Sequence, residues 1–375
     1  MYVLFLNSWY PNKILHTNGD FVQEHAKAVA TQCTVICLQV QGVRNQKEAF
    51  IIDKKRHKEV LEVTVYYAQI KGNTIIASLK KIKRQHQAFL FGYKAISVNY
   101  PKIDIIHLNV AFPAVFFAWY LNSKFKIPFI TTEHSTTYLK SNPTNFSVFE
   151  LYPIKRILAK SRFICPVSEL LKNEMIKTGI KGNYRVIPNV INTNVFTYKQ
   201  KKTNTKIQIV HVSSLCNKHK NYEGILRVIK KLSHSRNDFT LTIVSNSDLT
   251  NCIDYATKLN LSKTVFKTKQ SYCKEDIAKA MQQSDLFLLF SNYETFSLVV
   301  PESLSCGTPV IATDVGVISE LITPDNGALV NVGDEKDLLN KLNSILNTIP
   351  SFDTEKIVRE AQKLFNYEES RPSLF

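Results

Sequence analysis

Residues 291–322 read SNYETFSLVVPESLSCGTPVIATDVGVISELI, directly after an unbroken apolar run, LFLLF at 286–290. A short run without polar alternation is the pattern of a strand buried on both faces. A second such strand follows at Pro309–Ala312, with a helix beginning between them, within a few residues of Glu294, and carrying Glu302. Strand, helix, strand in that order is the unit of a parallel sheet. The arrangement delivers Glu294 to the loop and Glu302 to the new helix, eight positions on. A loop-then-helix setting points both carboxylates into one cleft rather than onto one helix face. The opening turn of a helix presents unsatisfied N–H groups that suit a phosphate. Ionised carboxylates beside them accept hydrogen bonds from sugar or ribose hydroxyls. The plain alternative is that Glu302 caps or solvates the helix and Glu294 occupies a surface turn.

The same rhythm extends in both directions. Upstream, strands are expected at Ile207–Ser213, Thr240–Val244 and Val265–Thr268, with helices at Tyr222–Ser233, 250–259 and Lys274–Gln282. Downstream come a strand at Ala328–Val330 and helices at 335–347 and 353–366. The first half repeats it with strands at Tyr2–Leu6, Thr34–Gln39, Val63–Tyr67, Ile103–His107, Phe129–Thr132, Phe163–Pro166 and Tyr184–Ile187. Its helices are expected near 21–31, 77–97, 111–122 and 168–178. Pro188–Thr205 is polar, rich in Asn, Lys and Thr, and lacks periodicity. The division is therefore a basic Rossmann-like domain over 1–188, a linker over 189–205 and a second Rossmann-like domain over 206–352. Residues 353–375 form a terminal helix and tail that could cross back to the first domain. Two open α/β sheets hold ligands at the carboxyl ends of their strands, which places the expected cleft between the domains.

Composition narrows the class. The 375 residues are 44% hydrophobic and 21% charged, a globular balance that excludes disorder and collagen. None of the eleven glycines forms G-x-G, and no P-loop pattern occurs, so the dinucleotide fingerprint and the Walker motif are both absent. Seven cysteines without a C-x-x-C pair read as reduced thiols of a cytosolic chain. Cys33 and Cys37, alternating on a strand, read as core. MYVLFLNSWYP lacks a basic leader and a cleavage site and reads as a first strand, not a signal peptide. The longest nearly uncharged stretch, Val110–Tyr120, is far shorter than the roughly 20 apolar residues of a membrane span. Its aromatics read as a buried helix. No D-x-D pair occurs, so no metal and no other cofactor is expected. His107, ending IDIIH, reads as a packed or hydrogen-bonded strand-end histidine, with a catalytic role as the alternative.

Charge is uneven. Residues 1–200 hold 27 Lys and Arg against 11 Asp and Glu, a net +16, whereas 201–375 hold 21 against 20, a net +1. In IIASLKKIKRQHQAFLFGYKAIS, residues 75–97, Lys80, Lys81, Lys83 and Arg84 stand among apolar residues. That is either a solvated helix face or a surface that docks on anionic lipid, where each basic residue contributes about 1 kcal/mol.

At residues 291–322 the sequence resembles the retaining glycosyltransferases of family 4, which have the GT-B fold: two Rossmann-like domains facing each other across a cleft. Their E-x7-E motif corresponds to Glu294 and Glu302 here. SWYPN with Gly19-Asp20-Phe21, TTEHS around His134, PVSELLKNEM around Ser168 and VIPNVINTNVF around Asn189 resemble the family in the same order. The resemblance implies that Glu302 binds the nucleotide's ribose and that Glu294 lies near the donor sugar. It further implies that the amides of Phe296, Ser297 and Leu298 face the diphosphate, that Gly19 lets the first loop approach the phosphates, and that His134 sits by the reacting sugar. Lys220, in HVSSLCNKHKNYEG, matches the lysine that neutralises the leaving diphosphate. Ser214 stands where the family usually has arginine, with Lys218 nearby as a substitute, and Thr295 and Ser297 replace the usual glycines.

The expectation is a metal-independent transferase using a nucleotide sugar, UDP-linked first and GDP-mannose second. Its acceptor would be a lipid-linked or membrane-anchored glycan of surface polysaccharide assembly, met at the inner face of the membrane. The rivals are an epimerase or hydrolase of the same architecture and a non-catalytic basic protein that binds nucleic acid or membrane. No nucleic-acid motif supports the last.

Overall fold

The computed structural model describes every residue except 73, 141–145, 202–204, 272, 350, 351 and 366–375, and gives the backbone alone for 75, 79, 148 and 149. The chain divides into two units, Met1–Pro188 and the residues from Asn189 onward.

The first unit runs β1 (Tyr2–Asn7), α1 (Asp20–Val29), β2 (Thr34–Val43), β3 (Phe50–His57), β4 (Val60–Ala68) and α2 (Ile75–Ser97). It continues with β5 (Ile105–Asn109), α3 (Val115–Phe125), β6 (Phe129–Glu133), α4 (Val148–Leu158), β7 (Ile164–Pro166) and α5 (Glu169–Lys177). The strands form one sheet in the order β3-β4-β2-β1-β5-β6-β7. β1 lies at its centre, with Leu4 opposite Ile36 on one side and Ile106 on the other. Its apolar residues Leu4, Phe5 and Leu6 are fully buried. A buried side chain of that size contributes about 1.5–3 kcal/mol, so this run anchors the unit's core.

Three features depart from the sequence expectation. β3 is an additional strand, antiparallel to β4, with the basic run Lys54, Lys55, Arg56, His57 exposed along the sheet edge. Charges on an edge strand deter further pairing, and they mask the strand's alternation. α4 is an additional helix, opened by a capping box in which Ser147 Oγ accepts from the Glu150 amide and the Glu150 side chain accepts from the Ser147 amide. Tyr184–Ile187 is not a strand: Tyr184 makes only an isolated bridge to Ile164.

The second unit holds β8 (Ile207–Val212), α6 (Asn217–Lys220), α7 (Tyr222–Leu232), β9 (Phe239–Ser245), α8 (Thr250–Lys258), β10 (Phe266–Gln270) and α9 (Lys274–Gln282). Then follow β11 (Leu286–Leu289), α10 (Val299–Ser305), β12 (Val310–Thr313), α11 (Ile318–Leu321), β13 (Gly327–Val330), α12 (Glu335–Thr348) and α13 (Thr354–Phe365). All of its strand pairs are parallel, in the order β10-β9-β8-β11-β12-β13. Chain direction across the sheet reverses between β8 and β11, the switch point at which α/β sheets open a crevice. One core face joins Ile209, Leu241, Ile243, Leu286 and Leu288 to Ile225, Leu226 and Ile229 of α7. The stretch after Pro188 is anchored rather than solvated: Val190, Ile191 and Phe196 are buried, and the Ile191 amide donates to the Phe365 carbonyl. α13 packs against α10, with the Phe296 and Phe365 rings 6.1 Å apart, and so belongs to this unit. The tail beyond it, 366–375, lies outside the described residues.

Candidate active site

The switch point of the second sheet collects the charged residues. The loop leaving β8 passes through Ser213 and Leu215, turns into α6, and reverses at Asn221, whose left-handed backbone (φ 46) joins α6 to α7. The Asn221 side chain caps α7 by accepting from the Gly224 amide at 3.2 Å. This places Lys220 at the end of α6. From β11 the chain runs through Phe290 and Ser291 to Glu294. Lys220 Nζ and Glu294 Oε1 form an ion pair, with Lys220 partly buried and Glu294 9% exposed at the side chain. Ser291 Oγ donates to the same Oε1 at 2.8 Å. The two loops are also stitched together by backbone: the Asn292 amide donates to the His219 carbonyl at 2.8 Å, and Asn292 Nδ2 to the Lys218 carbonyl at 2.9 Å. The His219 and Tyr293 rings lie 4.5 Å apart. Burial first, and the Lys220 charge second, hold the His219 imidazole below its ordinary pKa.

Beneath the loops, His211 on β8 ties the switch point shut. Its Nδ1 lies 2.8 Å from the Leu288 carbonyl and its Nε2 2.8 Å from Ser213 Oγ. Burial pushes its pKa down to about 4, so the ring is neutral, with Nδ1–H donating to the carbonyl. The loop after β12 supports Glu294 from behind. A Cβ on Gly316 (φ 63) would stand 2.6 Å from the Glu294 carbonyl oxygen, so only glycine permits that approach.

Glu302 is buried in the first turn of α10, where a carboxylate also suits the helix dipole. Ser297 has φ 58, a left-handed backbone at a position where a side chain costs about 1–2 kcal/mol. The expected effect of losing glycine there thus takes the form of strain held in place, with Ser297 and Phe296 both buried. Leu298 immediately precedes α10. Ser214 and Lys218 are exposed, and neither side chain joins the Lys220–Glu294 pair. Asn189 is buried at the start of the unit, remote in sequence from both loops, and its Oδ1 has no hydrogen-bond partner among the described residues.

In the first unit, His134 follows β6 and is 5% exposed, its ring 4.4 Å from Phe21 and 5.5 Å from His25, both on α1. Gly19 (φ 71) precedes α1, and a Cβ there would stand 2.5 Å from the Trp9 backbone. Its immediate function is thus to close the β1–α1 loop on itself. Glu133, which the sequence reading passed over in favour of its neighbour, organises this edge. Its carboxylate is fully buried and accepts 2.9 Å hydrogen bonds from the amides of Ala111, His134 and Ser135. Burial raises its pKa, and those amides act in the opposite direction. His107 is a packed strand histidine, with Nε2 2.7 Å from Thr132 Oγ1.

The basic helix is heterogeneous. Lys80 and Lys83 on α2 are exposed, whereas Lys81 Nζ donates to the Gly72 carbonyl at 2.6 Å and the Arg84 guanidinium lies 5.4 Å over the Phe50 ring. The aromatics of α3 are not all core. Phe117 is buried, but Trp119 is 44% and Phe125 47% exposed, with Lys160 6.0 Å over Trp119 and Lys124 5.5 Å over Phe125.

Residues 192–363 match the family described as Glycosyl transferases group 1, and residues 22–195 the family described as Glycosyltransferase Family 4. Among curated proteins, the N-acetyl-alpha-D-glucosaminyl L-malate synthase of Bacillus anthracis is 27% identical over 249 residues, 62% of each chain. The lipopolysaccharide 1,6-galactosyltransferase of Escherichia coli K12 is 27% identical over 199 residues, 51% of this chain and 54% of that protein. The chain thus matches somewhat less than two thirds of the length of such relatives. Among solved structures, sucrose-phosphate synthase from Thermosynechococcus elongatus superposes with a TM-score of 0.76 at 20% identity, covering 100% of this chain and 96% of that one. Anabaena Alr3699/HepE in complex with UDP and glucose gives 0.74 at 15% identity, covering 100% and 98%. Likeness at such low identity speaks for the fold, two Rossmann-like domains of the GT-B type.

Proposed function

Because the chain belongs to glycosyltransferase family 4 and has the GT-B fold, we propose that it transfers a sugar from a nucleotide sugar to a glycan acceptor with retention of anomeric configuration. The observation that carries this reading is the meeting of Lys220 and Glu294 at the switch point of the second sheet. A cation aimed at a crevice suits a leaving diphosphate, and a carboxylate beside it suits sugar hydroxyls. Glu302 binds the ribose, and the amides of Phe296, Ser297 and Leu298 face the diphosphate. Lys218 supplements Lys220, and Ser214 and Asn189 line the donor site. Gly19 and His134 of the first unit are assigned to the same reaction by the resemblance to the family.

The acceptor hydroxyl attacks the anomeric carbon on the face the diphosphate leaves. A C–O bond to the acceptor forms, the anomeric C–O bond to phosphate breaks, and the hydroxyl proton passes to the departing phosphate oxygen. No protein nucleophile and no metal take part. The leaving-group charge is met instead by Lys220 and the helix amides. The donor carries UDP, with GDP-mannose as the second choice. UDP is also what accompanies glucose in the Anabaena structure.

The acceptor is lipid-linked or membrane-anchored, within surface polysaccharide assembly, and the enzyme works in the cytoplasm at the inner face of the membrane. No helix among the described residues is long and apolar enough to cross a membrane. Support for peripheral docking comes from Lys80, Lys81, Lys83 and Arg84 on α2, and from half-exposed Trp119 and Phe125 on α3, which packs against α2 through the Phe89–Phe117 stack. Tryptophan together with lysine and arginine is the composition of a membrane-interface surface.

A panel of nucleotide sugars scored by thermal stabilisation tests the donor. A true donor at 100 times its dissociation constant stabilises by about 2.7 kcal/mol, whereas no response to any member rejects the reading. Vesicles containing anionic lipid test the docking: the parent pellets with them and a Lys80, Lys81, Lys83, Arg84→Ser variant does not. Binding of DNA, without any response to nucleotide sugars, would favour a basic nucleic-acid binder instead.

A further inference from the structure

We propose that Ser291 is a positioning residue for Glu294, and that it decides which carboxylate oxygen meets the donor. The inference rests on the transfer reaction proposed above. Two donors converge on Oε1 of Glu294, the Lys220 ammonium and the Ser291 hydroxyl. Oε2 accepts no hydrogen bond from any described residue, although a carboxylate oxygen has room for two. Oε2 is therefore the oxygen presented to a sugar hydroxyl, and whatever fixes Oε1 fixes the aim of Oε2.

The two donors are not equivalent. Lys220 is a point charge on a flexible four-carbon stem, and a diphosphate in the crevice competes with Glu294 for it. Ser291 is short, neutral and fully buried at the end of β11, so no phosphate draws it away. Its own backbone is clamped, because Thr313 Oγ1, at the end of β12 and fully buried, donates to the Ser291 carbonyl at 2.7 Å. β11 and β12 are adjacent parallel strands, so the chain Thr313–Ser291–Glu294 runs from rigid sheet to reacting edge. Ser291 thus keeps Glu294 in place while the lysine is shared with the leaving group.

The test uses the full chain with a donor taken from the nucleotide-sugar panel. Ser291→Ala should lower kcat roughly 10- to 100-fold, the loss expected for one hydrogen bond to a charged group, with donor KM changed by less than about threefold. Ser291→Thr, which keeps the hydroxyl, should restore most of the rate. In a Glu294→Ala background, Ser291→Ala should cost nothing further, because the hydroxyl acts only through the carboxylate. If Ser291→Ala does not fold, Ser291→Cys, with its weaker S–H donor, is expected to fall between parent and Glu294→Ala. A parent-like kcat in Ser291→Ala, a loss confined to donor KM, or an equal loss in both backgrounds would overturn the inference while leaving the reaction intact. A parent that neither binds nor turns over any nucleotide sugar would instead reject the reaction, and this inference with it.

Discussion

Lowering the pH from 7 to 5 should weaken the first unit through His107, by an amount that follows from its surroundings. The imidazole is 4% exposed, its ring 4.5 Å from that of Phe5, and its Nε2 is engaged by Thr132 Oγ1. Burial, with His25 adding to it, pushes its pKa from 6.5 down to about 3. A folded-state value below the unfolded one means that the unfolded chain binds the proton more tightly. Stability from this group is therefore complete above about pH 6.5 and lost as pH falls towards 3. Each pH unit inside that window removes about 1.4 kcal/mol, and integration from pH 7 to pH 5 gives about 2 kcal/mol. Both tryptophans, Trp9 and Trp119, belong to the first unit, so tryptophan fluorescence during urea unfolding reads that unit. At a slope near 2 kcal/mol per molar urea, the parent's midpoint should fall by about 1 M more than that of His107→Gln, which keeps a polar group beside Thr132 but does not titrate. Equal shifts in parent and variant would refute the argument.

Three further outcomes follow from the second unit. Glu302→Ala should weaken donor binding roughly tenfold or more by removing a ribose acceptor, whereas Glu294→Ala should chiefly lower kcat; unchanged affinity and turnover in both variants would dismiss the assignment. Activity should persist in excess EDTA and collapse in Lys220→Ala, by roughly 100-fold or more; loss with chelator and recovery with magnesium or manganese would show that a metal carries the leaving-group charge. Ser297→Gly should raise stability by about 0.5–1 kcal/mol, because φ 58 is a glycine conformation held by serine; a lower urea midpoint for this variant would show that its hydroxyl or Cβ matters more than the backbone.

What the sequence exposed and what it hid divide along a physical line. Strands buried on both faces, such as LFLLF and YVLFL, announce themselves by composition alone, and the positions of β1, β8, β9 and β11 follow from it within a residue or two. β3 was hidden because its edge carries Lys54, Lys55 and Arg56, charges that serve the edge and erase the strand signal. α4 was hidden because its start lies next to the polar stretch SNPTN and Pro153 interrupts its pattern. Its capping box, Ser147 with Glu150, was the signal available. The anchoring of residues 189–196 was missed for a related reason: Val190, Ile191 and Phe196 are spaced too irregularly to show either period.

At the site, residue types were legible and partnerships were not. Glu294 and Glu302 stood out by their loop-then-helix setting, and Lys220 by its match to the lysine of the family it resembles. That Lys220 reaches the same oxygen of Glu294 that Ser291 holds depends on β8 and β11 being neighbours at the switch point, a property of topology. Glu133 makes the same point in the first unit, since an acid inside TTEHS carries no local sign that it will be buried under three amides. In each unit the polar machinery gathers at the carboxyl ends of parallel strands, Glu133 where β6 meets the loop leaving β5 and Glu294 where the loop leaving β11 meets the one leaving β8. There the sheet leaves backbone amides and loop ends unpaired with one another, so a buried carboxylate gains partners instead of losing solvent for nothing. The folding requirement and the chemical one therefore select the same places. Glu133 uses its place to hold loops together, whereas Glu294 keeps Oε2 without a hydrogen bond from any described residue, the opening on which its proposed role depends.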